Sequence, residues 1–230
     1  MTALDPVHPL LGTSVLLLGA TGGLGSALAD ELHERGATLT LSGRDPKRLG
    51  ALPVDGARHV GDLRTPESCT LAVDAALRHA GSLDVVINAV GVVAFGATAD
   101  LSIDAMEELF LTNTFIPIMI ARIALPQLQP GGALVNISGV IAEQNLPGMA
   151  AYGASKAAVR SFDEALQREA RRAKVRVLDA RPPHTQTGLS DRPVEGQAPP
   201  MPEGLAPEHV ATVICDALER GDKDLPSSAF

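Results

Sequence analysis

The sequence predicts an α/β fold: a single-domain, doubly wound parallel sheet with helices on both faces. Short apolar runs alternate with segments of helical periodicity along most of the chain, and a glycine-rich turn, GATGGLG, follows the first run. Parallel strands need helical crossovers between them, and this alternation is typical of such crossovers. One domain accounts for all 230 residues, of which 45% are hydrophobic and 20% charged.

The predicted elements follow one another in a regular order. Apolar runs predict strands at 14–18, 38–42, 57–60, 83–88, 133–137 and 175–180, with a short seventh strand near Leu225. Apolar residues at helical spacing predict helices at 26–35, 66–79, 102–125, 151–172 and 208–220. Ser102 is a candidate N-cap, Pro117 is expected to bend the helix that follows it, and 131–132 is predicted to be a turn.

Composition narrows the possible partners and the compartment. The net charge is −8 and only 3% of residues are aromatic, so we expect no binding to nucleic acid or to an anionic membrane. Cys69 and Cys215 have no metal-ligand spacing and are predicted to be buried thiols, and we predict no metal site. The N-terminal stretch has no basic segment, and the apolar run 15–18 is too short for a signal or a membrane span. We therefore expect a cytoplasmic protein.

The glycine-rich turn predicts a dinucleotide site. Gly19, Gly23 and Gly25 lie between a strand and a helix, where glycines let the backbone approach a pyrophosphate and the helix N-terminus attracts its charge. In sites of this Rossmann type, an acidic residue about 20 positions later binds the ribose hydroxyls of NAD.

The second strand ends differently, in Ser42-Gly43-Arg44. An arginine at this point favours the 2′-phosphate of NADP. Asp45 could reach the ribose, although capping of the short helix after it is the preferred interpretation. Asp62, just past the third strand, is a candidate for the adenine amino group.

Tyr152 is the only tyrosine, and Lys156 follows it by one helical turn. A lysine ammonium beside a phenol favours the phenolate, so we expect the pKa of this tyrosine to fall from about 10 toward neutrality. Tyr152 is therefore a candidate general acid/base.

Together these motifs resemble those of the short-chain dehydrogenase/reductase family over nearly the whole chain. The family's Asn-Asn-Ala-Gly strand end corresponds to Asn88-Ala89-Val90-Gly91, its helix asparagine to Asn113, and its Tyr-x-x-x-Lys to Tyr152 and Lys156. The resemblance implies hydride transfer between NADPH and a small carbonyl or alcohol substrate. It also implies homodimers or homotetramers formed through the two long helices.

The resemblance implies roles for individual residues as well. Tyr152 would exchange the substrate proton, Lys156 would also hold the nicotinamide ribose, and Asn113 would keep a water in the proton relay. The complete predicted cofactor set comprises Gly19, Thr21, Gly22, Gly23, Leu24, Gly25, Arg44, Asp62, Leu63, Asn88, Gly91, Tyr152, Lys156, Pro182, Thr185 and Thr187.

One family motif is incomplete. The family's catalytic serine precedes the tyrosine by thirteen positions, and residue 139 here is glycine. Ser138 is adjacent, but strand alternation points it away from the site unless the strand end is bulged. The other candidate donors are His184, and Gln144 and Asn145 on the loop before Tyr152.

The segment 183–206 is rich in proline and glycine and is predicted to be a substrate lid, with Leu189, Val194 and Met201 facing the substrate. Because of Gly139, two alternatives to carbonyl reduction stay open. One is reduction of an imine or an activated alkene, for which a polarising serine matters less. The other is a cofactor-binding sensor or accessory protein without turnover.

Overall fold

Seven parallel strands form one sheet within residues 8–230, the part of the chain that this computed structural model describes. The first seven residues, which belong to the N-terminal stretch used above to predict the compartment, lie outside it. The sheet order is β3-β2-β1-β4-β5-β6-β7. The strands are β1 (Ser14–Leu18), β2 (Thr38–Gly43), β3 (Ala57–Val60), β4 (Leu83–Asn88), β5 (Leu128–Ile137), β6 (Arg176–Ala180) and β7 (Asp224–Leu225).

Helices cover both faces of the sheet, so the predicted fold class is confirmed. They are α1 (Gly23–Glu34), α2 (Pro46–Gly50), α3 (Pro66–Ala80), α4 (Ile103–Phe110), α5 (Ile116–Ala124), α6 (Ala150–Glu169) and α7 (Pro207–Arg220). Side chains of β1 alternate between two apolar layers, because successive residues of a strand point to opposite faces. Val15 and Leu17 pack with α1 and α7, whereas Leu16 and Leu18 pack with α3, α5 and α6.

The predicted helix 102–125 is divided in the structure by a π-helical turn, Leu111–Phe115. The N–H of Ile116 donates to the carbonyl of Leu111, five residues earlier. Pro117 has no N–H, so the carbonyl of Asn113 lacks the donor that an α-helix would place four residues later. The disturbance expected at Pro117 is therefore a widened turn that precedes it. Ser102 is the N-cap, as predicted, and accepts from the N–H of Ala105.

Strand β5 begins earlier than predicted and contains Gly131 and Gly132, which we expected to form a turn. Its pairing with β4 shifts register between Leu83 and Val85. A Cβ on Gly132 would lie 2.4 Å from the carbonyl oxygen of Asp84, so the strands pass closely only because this residue is glycine.

The remaining predictions for the fold concern the seventh strand, the cysteines and the membrane. A short β7 contains Leu225, as predicted. Cys69 and Cys215 are buried and free. No helix within residues 8–230 combines the length and the apolar character needed to cross a membrane.

Candidate active site

The carboxyl ends of the central strands open onto a cavity of about 560 Å³. It lies where the strand order reverses between β1 and β4, the position at which open α/β sheets bind ligands. Most residues of the predicted cofactor set line it: Gly19, Thr21, Gly22, Gly23, Leu24, Gly25, Arg44, Asp62, Leu63, Gly91, Tyr152, Lys156, Pro182, Thr185 and Thr187.

The glycine-rich turn has space only for glycine at several positions. A Cβ on Gly25 would lie 2.1 Å from the carbonyl oxygen of Gly19, and one on Gly23 would lie 2.6 Å from that of Thr187. Gly22 is the N-cap of α1 and offers no side-chain hydrogen bond, so the first amides of this helix lack a side-chain acceptor at the cap. This cradle of backbone at a helix N-terminus fits a pyrophosphate.

Basic side chains stand at the end of the cavity next to β2. Arg44 is exposed and lines the cavity. Arg48, which the sequence analysis missed, also lines it and donates to the carbonyl of Thr21 at 2.5 Å. Asp45 caps α2 by accepting from the N–H groups of Lys47 and Arg48, at 2.8 and 3.2 Å, as in the preferred interpretation. The sequence signal for Arg48 was a second arginine four positions after Arg44, on the short helix α2.

Asn88 does not line the cavity, which corrects its assignment to the cofactor set. It is buried beneath the loop that follows β4, where its Oδ1 accepts from the N–H of Val90 at 3.2 Å. Its Nδ2 donates to Oδ1 of Asn136 at 3.3 Å. Asn88 therefore supports the cavity wall from within the protein.

Tyr152 and Lys156 both line the cavity, from the first turns of α6. The Lys156 ammonium donates to the carbonyl of Ile137 at 2.7 Å. Burial raises the pKa of Tyr152 to about 12 and lowers the pKa of Lys156 to about 8, the latter shift being opposed by the charge of Asp179. The predicted fall in the pKa of Tyr152 is thus wrong in direction, because burial disfavours the phenolate.

Asn113 is buried behind the cavity and does not line it. Its Oδ1 accepts from the N–H of Val92 at 2.9 Å, and its Nδ2 donates to the Val92 carbonyl at 2.9 Å and to Ser155 Oγ at 3.0 Å. The side chain therefore fixes the loop after β4 to α6.

Gly139 has a backbone conformation that excludes the family's serine. Its φ and ψ are 81° and 164°, a region that is essentially restricted to glycine. A Cβ at this position would meet only the carbonyl oxygen of Pro182, at 3.8 Å, so conformation rather than lack of space favours glycine. The N–H groups of Gly139 and Val140 donate to the carbonyls of Ala180 and Pro182, at 3.2 and 2.9 Å, and so offer no oxyanion site.

Ser138 does not replace the missing hydroxyl. Its side chain is fully buried, and its Oγ donates to the carboxylate of Asp179. The prediction of Ser138 as a catalytic residue is therefore wrong. Gln144 and Asn145 are exposed and do not line the cavity. Ser138 and His184 both line the cavity, but the Ser138 hydroxyl is used by Asp179. The backbone of His184 is fixed by the N–H of Leu205, which donates to the His184 carbonyl at 2.8 Å.

The segment 183–206 crosses the cavity and is attached on its far side. The N–H of Val194 donates to the carbonyl of Val93 at 2.8 Å, and the Glu195 carboxylate accepts from the N–H of Ser102 at 2.9 Å. Leu189 and Met201 line the cavity, as predicted for lid residues. Val194 does not line it, and its side chain is 40% exposed.

A buried carboxyl group beneath the site was not foreseen. Asp163 is fully buried on α6, two turns beyond Lys156. Its Oδ1 accepts from Asn136 Nδ2 at 2.7 Å, and its Oδ2 has no partner among the described residues. Burial raises the pKa of Asp163 well above its ordinary value of 3.8. Helical spacing from Lys156 was the available signal, but an acid at this spacing is usually solvated.

Asp163→Asn is expected to stabilise the protein at neutral pH. The unfolded chain ionises Asp163 near pH 3.8, whereas burial raises its pKa in the folded chain, so this residue lowers the free energy of unfolding as pH rises above 3.8. Each unit of pKa difference is worth about 1.4 kcal/mol, and asparagine keeps the oxygen that accepts from Asn136. Thermal unfolding from pH 4 to pH 8 tests this, with exposed Asp55→Asn as the control. Equal melting temperatures for Asp163→Asn and wild type at pH 8 would contradict it.

Known proteins resemble this chain in sequence and in fold. A profile of the short chain dehydrogenase family matches residues 13–198. Dehydrogenase/reductase SDR family member 7B of Bos taurus is 30% identical over 233 positions, which cover 92% of this chain and 72% of that protein.

Solved structures agree in fold. A dehydrogenase/reductase from Sinorhizobium meliloti has a TM-score of 0.85 and 21% identity, covering 97% of both chains. A short-chain dehydrogenase from Burkholderia cenocepacia in complex with NADP has a TM-score of 0.83 and 23% identity, covering 96% of this chain and 99% of that one. By its profile match and its curated relative, the chain belongs to the short-chain dehydrogenase/reductase family, whose members are oxidoreductases that use a nicotinamide cofactor.

Proposed function

We propose that this protein is an NADP-dependent oxidoreductase that reduces a small carbonyl substrate, or oxidises the corresponding alcohol, with Tyr152 as the general acid/base. The observation that carries the proposal is that Tyr152 and Lys156 line the same cavity as the glycine-rich turn. A dinucleotide whose pyrophosphate lies at this turn would extend along the strand ends toward Tyr152. NADPH, when bound, supplies the hydride.

The protonation state of Tyr152 favours reduction. With its pKa raised to about 12, the side chain is a phenol at neutral pH, the form that donates a proton to a developing alkoxide. Lys156, whose pKa is lowered to about 8, exchanges protons readily near neutral pH. The side chain of Asn113 is occupied by Val92 and Ser155, so a water held behind them at Asn113 would bind to its backbone carbonyl.

His184 takes the place of the missing serine hydroxyl in this proposal. It is the half-buried cavity residue that remains after Ser138, Gln144 and Asn145 are excluded. An imidazole N–H can donate a hydrogen bond to the substrate oxygen in the neutral and the protonated form. Preorganised donors of this kind stabilise the charge that develops on the oxygen in the transition state.

Arg44 and Arg48 support NADP as the cofactor. Both line the end of the cavity next to β2, and the carboxylate of Asp45, which lies between them in the sequence, is used as a helix cap. Two guanidinium groups at the point where this acid is not available for ribose hydroxyls suit a 2′-phosphate.

Arg48→Gln is expected to weaken NADPH binding about tenfold and to leave NADH binding unchanged, because one charge-assisted hydrogen bond to the 2′-phosphate is lost. Arg44→Gln is expected to act in the same direction. Isothermal titration calorimetry with both cofactors measures the effect, and exposed Arg168→Gln on α6 is the control. Equal weakening of NADPH and NADH would remove the reason for preferring NADP.

The proposed activity is tested by NADPH oxidation with a panel of ketones, quinones, imines and activated alkenes. Turnover confined to ketones or quinones supports carbonyl reduction, and turnover confined to imines or alkenes supports the alternative chemistry suggested by Gly139. Tight NADPH binding without turnover on any class supports a sensor or accessory protein. Assembly into a homodimer or homotetramer through the long helices stays a prediction of the family resemblance.

A further inference from the structure

Arg192 lies on the segment that crosses the cavity and has no role in the chemistry described above. Its Nε donates to the carbonyl of Gly188 at 2.9 Å, and one Nη lies 3.4 Å from the carbonyl oxygen of Thr187. The side chain lines the cavity. Within residues 8–230 no carboxylate lies within ion-pair distance of it, and its hydrogen-bond partners are backbone carbonyls.

The carbonyl that Arg192 contacts is packed directly on the glycine-rich turn. The position that a Cβ on Gly23 would occupy is 2.6 Å from both the Cα and the carbonyl oxygen of Thr187. The guanidinium therefore stands beside the first turn of α1, on the cavity side. That turn contains no acidic side chain and has no side-chain cap, so its positive potential is also uncompensated.

The neighbouring charges do not cancel this arrangement. Asp191 is exposed and makes no ion pair with Arg192 within the described chain. Glu195, the other acid of this part of the segment, accepts hydrogen bonds from Ser102 at the opposite rim. The basic residues at the other end, Arg44 and Arg48, lie next to β2. Basic side chains thus reach the cavity from two elements, Arg44 and Arg48 beside β2 and Arg192 on the lid.

We propose that Arg192 binds the pyrophosphate of the dinucleotide and thereby holds the lid closed over it. The inference rests on the proposed function, since it needs a dinucleotide at the glycine-rich turn. Guanidinium and phosphate groups form strong, charge-assisted hydrogen bonds, frequently two in parallel. The lid would then contribute a ligand that the turn cannot supply, because glycines offer only backbone N–H groups.

Three probes distinguish a role of Arg192 from that of the arginines beside β2: NADPH, NADH and adenosine 2′-monophosphate. The last carries the 2′-phosphate but no pyrophosphate. Arg192→Gln is expected to weaken NADPH and NADH by the same factor, about tenfold, and to leave adenosine 2′-monophosphate unchanged. Arg48→Gln is expected to give the opposite pattern, weakening NADPH and adenosine 2′-monophosphate only. Arg168→Gln, an exposed arginine that does not line the cavity, is the matched control.

Each outcome of the titrations supports or overturns the assignment. Unchanged dinucleotide affinity in Arg192→Gln, with melting temperature also unchanged, overturns it and leaves the proposed function intact. Weakening of NADPH and adenosine 2′-monophosphate without NADH places Arg192 at the 2′-phosphate and also overturns it. Wild-type protein that binds neither dinucleotide refutes the proposed function itself. Partial recovery in Arg192→Lys, which keeps the charge but not the planar fork, supports it.

Discussion

Tyr152→Phe is expected to lower kcat for carbonyl reduction about 10²- to 10⁴-fold, which is the usual contribution of a positioned general acid. Tyr152 lines the cavity on the same face of α6 as Lys156, and its raised pKa keeps the proton available at neutral pH. Phenylalanine keeps the ring and removes only the hydroxyl. NADPH affinity is expected to stay close to that of wild type, because the glycine-rich turn and the arginines are unchanged.

Steady-state NADPH oxidation measures the loss of rate, and calorimetric titration of NADPH provides the control for cofactor binding. Because the pKa of Tyr152 is raised, the side chain remains a phenol as pH rises. Up to pH 9, loss of this proton is therefore not expected to lower the rate of reduction. If Tyr152→Phe and wild type turn over every substrate at equal rates, the assignment of Tyr152 fails.

His184→Phe is expected to lower kcat on carbonyl substrates about 10²- to 10³-fold, the usual effect of removing one oxyanion donor. Phenylalanine fills the same space beside Gly204, whose missing Cβ position is 2.8 Å from the His184 ring, but has no N–H. His184→Gln keeps a donor and is expected to retain part of the rate. Imine substrates, which need no such donor, are expected to be affected little.

Comparison of the two His184 variants on one ketone and one imine measures this effect. Full activity of His184→Phe on the ketone would show that another group polarises the carbonyl.

The variant Gly139→Ser is not a suitable test of which group polarises the carbonyl. Serine at a φ of 81° costs on the order of 1–3 kcal/mol of backbone strain, and relief of that strain would move the hydroxyl away from the family's position.

Local sequence patterns predicted the bounds of those strands whose conformation depends only on their own residues. The predicted bounds of β1, β3 and β4 agree with the structure, because each is an uninterrupted run between turn residues. The π-helical turn before Pro117 was not predicted, since the proline indicates a disturbance but not which hydrogen bonds replace the lost one. The early start of β5 was missed because it depends on a close approach between Gly132 and Asp84 on another strand.

The site likewise contains residues that the sequence predicted and residues that only the structure revealed. The glycine-rich turn and the pair Tyr152 and Lys156 are short motifs, so the sequence predicted them together with their place in the fold. Arg192 and Asp163 carry no motif. Arg192 became visible only because Thr187, whose carbonyl it contacts, packs against Gly23 of the glycine-rich turn. Asp163 became visible only through its hydrogen bond from Asn136 on β5.

The sequence by itself determined the α/β class, the dinucleotide turn, the family and the absence of a serine at position 139. Each of these follows from residue types at fixed spacing, which the chain order alone preserves. The tertiary structure decided that burial raises the pKa of Tyr152, that Ser138 is bound to Asp179, and that Arg192 stands at the glycine-rich turn. Those facts depend on desolvation and on distances between residues far apart in sequence, and only the folded chain sets these quantities.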